Sequence, residues 1–328
     1  MILYFFIKII YLLIINNMDF KYDIDKKFVD FFNWNLHQIF MYITDRCQLR
    51  CKQCLMKPNL EFQLWNPEIP LDTAINLLHD FKKLWASKLT LLWWEPTLYW
   101  DKLFDLINGS NKLWYEYVRI DTNWQFNPKI LENDKFKLLD EISFSLDWYN
   151  EELHEYCRWK WTFLRTILNI KQAIEKWYKV DITVCIHNKL AEKDEKWEYS
   201  NIYNTIKFVE GLWIKELNFH TLLKHNMPIN TWSRWTEIDY KEWIEIYDIL
   251  KKKIDNWEFN IELRIPKHFV TEEEFNTNPN YYWYCATKLW ERVLVTADWQ
   301  LRTCAWLLSS KYAIANYYDN KIKWQEWL

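Results

Sequence analysis

Short apolar runs alternate with amphipathic stretches along most of this chain. Residues 39–44 form an apolar run that predicts a strand, and residues 71–83 carry Leu, Ile and Phe on one face at helical spacing. Strand-like runs follow at 89–92, 117–121, 142–146, 180–186 and 216–220, with helical stretches at 129–139, 163–176 and 199–209 among those between them. Six strand–helix alternations predict parallel βα units, with functional residues at the C-terminal ends of the strands. After about residue 230 the pattern changes to a helix at 238–253, a strand-like run at 259–264 and a hairpin at 292–303 around Asp298-Trp299. The pattern divides the chain into an N-terminal segment 1–36, a core 37–235 and a C-terminal region 236–328, with no internal repeat.

Composition changes how those elements read. The 328 residues include 2 Gly and 24 Trp, whereas ordinary usage near 7% would give about 23 Gly. The excess of one residue nearly matches the shortage of the other. Some bacteria read the stop codon UGA as glycine, while common tables for reassigned UGA give tryptophan, so many of these tryptophans are read here as glycine. Their positions agree. Asn123-Trp124, Asp147-Trp148 and Asp298-Trp299 become N-G and D-G turn dipeptides. Trp85 and Trp177 fall where helical patterns stop and a glycine is expected. The other reading is a genuinely tryptophan-rich protein with ordinary turns.

Charge and cysteine usage narrow the class. A net charge of −3 without a long basic run gives no support for a nucleic-acid partner. Seven cysteines, three of them within eight residues, do not form a secreted disulfide framework, and thiolate ligands point to a reducing cytoplasm. Residues 1–17 are apolar around Lys8 and lack a basic start and a small-residue cleavage site. At that length the segment is marginal for a membrane span. A start at Met18, an anchor and a buried terminus are the three readings of it, with the start at Met18 preferred.

Cys47, Cys51 and Cys54 stand in C-x3-C-x2-C spacing directly after the first predicted strand. Three thiolates on a tight loop can hold three irons of a 4Fe-4S cluster and leave the fourth open to a ligand. A structural zinc wants four ligands, and no Cys or His pair at zinc-like spacing follows nearby.

This loop resembles the cluster-binding loop of radical SAM enzymes, and three later segments extend the resemblance. Leu92-Trp93-Trp94-Glu95-Pro96-Thr97, with glycine at 93 and 94, is similar to the family's G-G-E-P motif for the methionine amino group of S-adenosylmethionine. Thr122-Asn123-Trp124 is similar to T-N-G. Ser145-Leu146-Asp147-Trp148 is similar to S-L-D-G, with Arg158-Trp159 matching a downstream R-G. Gln53 departs from the pattern, because the residue before the third cysteine is often aromatic in the family.

The resemblance implies a partial (β/α)6 TIM-like barrel with a small C-terminal α+β domain. It also implies a 4Fe-4S cluster on Cys47, Cys51 and Cys54. S-adenosylmethionine is expected near Trp93, Trp94, Glu95, Pro96, Asn123, Ser145, Asp147 and Arg158. It further implies an electron donor such as a flavodoxin or ferredoxin and a peptide or small-molecule substrate. Cys285 and Cys304 bracket the last hairpin and resemble the first half of a SPASM or twitch auxiliary-cluster region. Two ligands cannot hold a second iron–sulfur cluster, so a truncated C-terminus is the expectation. The alternative is a non-catalytic iron–sulfur or zinc-binding scaffold whose ligand pocket is filled by Trp93 and Trp94.

Overall fold

The computed structural model describes residues 24–54, 68–125, 127–196, 198–222, 237–266, 268–269, 277, 282–283, 291–304 and 310–325. Helix α1 (Lys26–Phe32) leads into β1 (Gln38–Met41). Then come α2 (Leu71–Lys83), β2 (Lys88–Leu91), α3 (Asp101–Lys112), β3 (Tyr117–Thr122) and β4 (Glu141–Ser145). Next are α4 (Glu151–Cys157), α5 (Phe163–Glu175), β5 (Val180–Ile186), α6 (Ser200–Gly211), β6 (Glu216–Thr221), α7 (Tyr240–Asp255) and β7 (Glu262–Arg264). A two-stranded pair, β8 (His268–Phe269) and β9 (Tyr282–Trp283), precedes β10 (Arg292–Val295), β11 (Gln300–Arg302), β12 (Ala315–Tyr318) and β13 (Lys321–Trp324).

The main sheet has eleven strands in the order β13-β12-β11-β10-β1-β2-β3-β4-β5-β6-β7. The run from β10 through β1 to β7 is parallel throughout, and β11, β12 and β13 add to it antiparallel. The sheet is open: among the described residues its ends, β13 and β7, do not pair. Alternate residues such as Val118, Ile120, Ile142, Phe144, Ile182 and Val184 face the helices and are buried. The opposite face carries Arg119, Asp121, Ser143, Asp181 and Thr183, unlike the apolar runs of a parallel sheet covered on both sides. It lines the inside of an open barrel.

Most expected elements fall within one or two residues of their sequence positions. The stretch 129–139 does not form an α-helix; it folds as two 3-10 turns, Pro128–Glu132 and Phe136–Leu138. Asn133 between them is extended, and its side chain accepts the Lys135 N–H at 2.9 Å. That local bond competes with helix continuation. Helix α4 is capped by Asn150, whose Oδ1 accepts the Leu153 N–H at 2.9 Å. The expected boundary at 235 and residues 1–23 lie outside the described residues, as does Cys285. No helix among the described residues is long and apolar enough to cross a membrane.

Among the described residues fifteen have positive φ, and three of them are Asn33, Asp319 and Asn320, side chains that tolerate the left-handed region. The other twelve are all tryptophan: 34, 85, 93, 94, 100, 114, 124, 161, 177, 213, 257 and 299. Helices α2, α3, α5 and α7 each end in a Schellman motif centred on one of them. After α2, Trp85 N–H bonds Lys82 O at 3.1 Å and Ala86 N–H bonds Phe81 O at 3.1 Å. After α5, Trp177 N–H bonds Ile174 O at 2.9 Å and Tyr178 N–H bonds Ala173 O at 3.1 Å. Trp114 and Trp257 repeat the pair, and Trp213 follows α6 at φ 65°. A left-handed conformation costs a residue with a Cβ roughly 1–2 kcal/mol. Twelve such costs, on the order of 12–24 kcal/mol, match or exceed the ~5–15 kcal/mol that holds a domain folded.

Candidate active site

The site lies where β1 to β5 end. After β1, Tyr42 N–H bonds Val295 O of β10 at 2.8 Å, which carries the chain toward the cysteine loop. Arg46 anchors the loop's entry: its guanidinium donates to Leu98 O at 2.8 Å and pairs with Glu68. Its carbonyl accepts the Glu95 N–H at 3.0 Å. Inside the loop Arg50 donates to Cys47 O at 2.8 Å, and Cys54 N–H bonds Cys51 O at 3.1 Å. Cys47 Sγ accepts from Leu49 N–H at 3.4 Å and from Asn123 Nδ2 at 3.5 Å.

A buried thiol stays protonated unless a cation is near. The Cys47 thiol is raised by burial and by Cys51, and the Cys51 thiol is pushed up to about 12 by burial, with Arg158 opposing. Thiols so placed become thiolates when a metal supplies the positive charge. Among the described residues, the group of three metal-type side chains with ligand atoms within 4.8 Å of one another is Glu141, Asp181 and Glu216, not the cysteines. A single ion needs convergent ligands, whereas a cluster with one cysteine per iron needs them spread apart. The acidic trio is charge-matched instead. Arg119 reaches Glu141 and Asp181 at 2.8 Å each, Lys179 reaches Glu141 at 2.6 Å, and Arg264 pairs with Glu216.

Glu95 is fully buried at the start of the 3-10 turn Pro96–Tyr99, with Pro96 in the turn's first position. Its Oε1 accepts Thr97 N–H at 3.2 Å and the hydroxyls of Thr97 and Thr122 at 2.6 Å each, and its Oε2 accepts Asn123 N–H at 2.8 Å. Burial raises its pKa against the pull of those donors. Asn123 passes the connection on, because its Oδ1 accepts Gln48 Nε2 at 3.2 Å. The ends of β2 and β3 and the cysteine loop are therefore one hydrogen-bonded unit. The Trp93 ring lies half-buried, 4.9 Å from Tyr42, and Trp94 is buried.

A second unit gathers at β4. Asp147 is fully buried and accepts Arg158 Nε at 2.6 Å, Arg158 Nη2 at 3.1 Å, Gln53 Nε2 at 2.5 Å and Cys185 N–H at 3.0 Å. Burial alone would raise its pKa, but the Arg158 guanidinium holds it below the usual carboxylate range. Cys157 O accepts Lys52 N–H at 2.7 Å, and Lys52 Nζ sits 3.3 Å over the Tyr156 ring. The last turn of α4 thus grips the loop between the second and third cysteines. Gln53 Oε1 stays buried without a partner among the described residues, its amide oriented by Asp147.

The structure brings Cys47, Cys51, Cys54, Glu95, Asn123, Asp147 and Arg158 together. Ser145 ends β4 half-buried. Cys304 is half-buried after β11 and adds to the burial that raises the Tyr42 pKa. Cys157 is buried with its thiol 3.0 Å from His187 Nε2. Cys185 is half-buried on the inward face of β5. Sequence reading did not find the contacts of Thr122, Gln48, His154 or His187. A lone threonine or histidine carries no spacing signal, and these residues meet the site only once loop, helix and sheet are brought together.

Residues 41–198 match the family model of the Radical SAM superfamily. That match covers a little under half of the chain and takes in the cysteine loop, Glu95, Asn123, Asp147 and Arg158. Its open α/β barrel is similar to SuiB of Streptococcus suis bound to S-adenosylmethionine, at 15% identity and TM-score 0.63 over 84% of this chain and 62% of that one. It is also similar to native anSMEcpe with bound AdoMet, at 13% identity and TM-score 0.62 over 86% of this chain and 78% of that one. The chain therefore spans less than two thirds of the length of SuiB. SuiB has also been solved with the precursor peptide SuiA, and anSMEcpe with the peptide Cp18Cys. At these identities the likeness is one of fold. No curated protein matches the chain.

Proposed function

We propose that Cys47, Cys51 and Cys54 hold a 4Fe-4S cluster and that Glu95, Asn123 and the 93–94 backbone bind S-adenosylmethionine beside it, for radical modification of a peptide. A bound cluster would supply the chemistry of reductive cleavage, passing one electron from an external donor to the sulfonium so that methionine leaves and a carbon radical able to take hydrogen from the substrate remains. The observation that carries this reading is the donor network running from Asn123 Nδ2 at the Cys47 sulfur to the Glu95 carboxylate.

The protein's own groups have separate tasks. Arg46 and Arg50 pin the loop backbone, and the last turn of α4 fixes Lys52 and Gln53. Glu95 holds β2 to β3 and keeps a carboxylate oxygen near a ligand's amino group. The polar inner face of β3 to β6 offers hydrogen bonds to a substrate backbone. Ser145, Pro96 and Arg158 border the same ligand in this reading. Cys304, with Cys285, is assigned to a possible second cluster. The core is 37–235 and the appended region 236–328, in a cytoplasmic protein served by a flavodoxin or ferredoxin.

The cysteines fit the cluster, but indoles at 93 and 94 do not fit the ligand cradle. Taken as tryptophan, Trp93 against Tyr42 favours a second reading, an iron–sulfur scaffold without catalysis. The test is anaerobic reconstitution with iron and sulfide, with glycine at 93 and 94 and a Cys51→Ala control. 5′-Deoxyadenosine formed only with intact cysteines supports the enzyme reading. A cluster that assembles without cleaving S-adenosylmethionine supports the scaffold.

A further inference from the structure

The backbone separates two kinds of tryptophan that the sequence presents alike. Twelve sit at φ between 53° and 76°, a range otherwise approached in this chain only by Asn33, Asp319 and Asn320 among the described residues. Five of the twelve follow helices α2, α3, α5, α6 and α7 at the position where glycine terminates a helix. Four of those five leave most of the indole in water: Trp114 is 82% exposed, Trp177 93%, Trp213 81% and Trp257 89%. A side chain that neither packs nor bonds gives no reason for its presence. Trp299 takes the left-handed position of the β10–β11 turn, with its N–H on Thr296 O at 2.8 Å. The two residues written as glycine lie in helices α3 and α6, and neither has positive φ.

Trp243 and Trp324 behave otherwise. Trp243 lies within α7, 1% exposed, its ring 6.2 Å from Tyr247. Trp324 ends β13 against Phe31 at 5.2 Å. Both have ordinary backbone conformations and use their indoles.

We propose that the protein made in its own cell carries glycine at 34, 85, 93, 94, 100, 114, 124, 161, 177, 213, 257 and 299, and tryptophan at 243 and 324. The assignment bears on ligand binding through 93 and 94. Both lie between β2 and Glu95, at the mouth of the barrel. Removing the two indoles frees the Tyr42 face and exposes backbone directly beside the Glu95 carboxylate. The cradle in this form admits an amino-acid-bearing ligand, which rests on the function proposed above. The glycine assignment itself does not.

The test reads peptides of the protein purified from its native cells by tandem mass spectrometry, alongside the codon at each position. The expected result is UGA and a glycine mass at the twelve positions, with UGG and a tryptophan mass at 243 and 324. Tryptophan at any of the five helix ends, or glycine at 243, overturns the assignment. A second arm measures S-adenosylmethionine binding by equilibrium dialysis to two reconstituted chains. One carries glycine at all twelve positions, and the other differs from it only in keeping tryptophan at 93 and 94. At least a tenfold weaker affinity in the chain with both indoles supports the cradle, and equal affinity overturns it. No binding by either chain, with the expected peptide map, counts against the proposed function and the cradle and leaves the glycine assignment standing.

Discussion

Replacing Asp147 with asparagine keeps the side chain's shape and removes one charge from a buried cluster. Arg158 then faces no carboxylate, and Gln53 Nε2 and the Cys185 N–H must share the one remaining acceptor oxygen. Breaking one partner of a buried pair costs about 3–5 kcal/mol, since the surviving charge stays desolvated. That is a large part of a total near 5–15 kcal/mol. Asp147→Leu with Arg158→Met removes both charges and should recover most of the loss, because an apolar pair of similar volume is close to neutral. Urea unfolding followed by far-UV circular dichroism at pH 7 measures Asp147→Asn and the closed cycle of parent, Asp147→Leu, Arg158→Met and their double. The expected outcome is a midpoint drop in each single variant at unchanged slope, partial recovery in the double, and a coupling energy above about 2 kcal/mol. A single-variant loss below about 1 kcal/mol, or additive losses in the double, would falsify the view that this pair holds the β4 corner.

Three further outcomes follow from the site. His154 and His187 are kept neutral by burial, with Arg158 adding to it, at pKa values of about 3 and about 4. The unfolded chain takes up a proton at each near pH 6.5 while the folded chain does not, so stability falls as pH drops below that value. The loss should reach about 2 kcal/mol per histidine between pH 7 and pH 5, read from urea midpoints at the two pH values; a flat profile contradicts it. Glu95→Gln sets an amide N–H against the Thr97, Thr122 or Asn123 donors, which should cost about 1–3 kcal/mol in a thermal melt and weaken S-adenosylmethionine binding in titration calorimetry. Cys51→Ala should reduce bound iron after reconstitution to the level of a Cys47→Ala, Cys54→Ala double variant, measured by iron assay; full iron retention would sink the three-cysteine assignment.

Much of this architecture was legible along the chain because the short apolar runs of a parallel sheet stand out against the amphipathic helices between them. Helix α2 and strand β5 fall at the expected residues, and β2, β3, β4 and β6 within one. The cysteine loop was visible because its chemistry is compressed into eight neighbouring residues. The 129–139 stretch misled, since its apolar residues keep helical spacing while Asn133 turns the backbone aside. The pairing of Asp147 with Gln53 was not visible at all. It joins residues 94 positions apart, and neither side chain signals the other. Glu95 was found from its neighbours, but its role as the tie between β2 and β3 came only with the fold.

The place of β1 in the sheet governs when the strand beneath the cysteine loop is completed during synthesis. Ile39 pairs with Leu89 on one side and with Val293 on the other. The second partner arrives about 250 residues later. Until it does, β1 presents an apolar edge of unpaired amides, the kind of surface that invites other chains. The same late strand receives the Tyr42 N–H that leads into the cysteine loop, and Ile24 before α1 pairs with Ile322 at the far end of the chain. The nascent polypeptide thus carries its three cysteines early, but the strand that leads into their loop lacks its second neighbour until β10 is made. The loop's foundation is laid by a strand made about 250 residues after it.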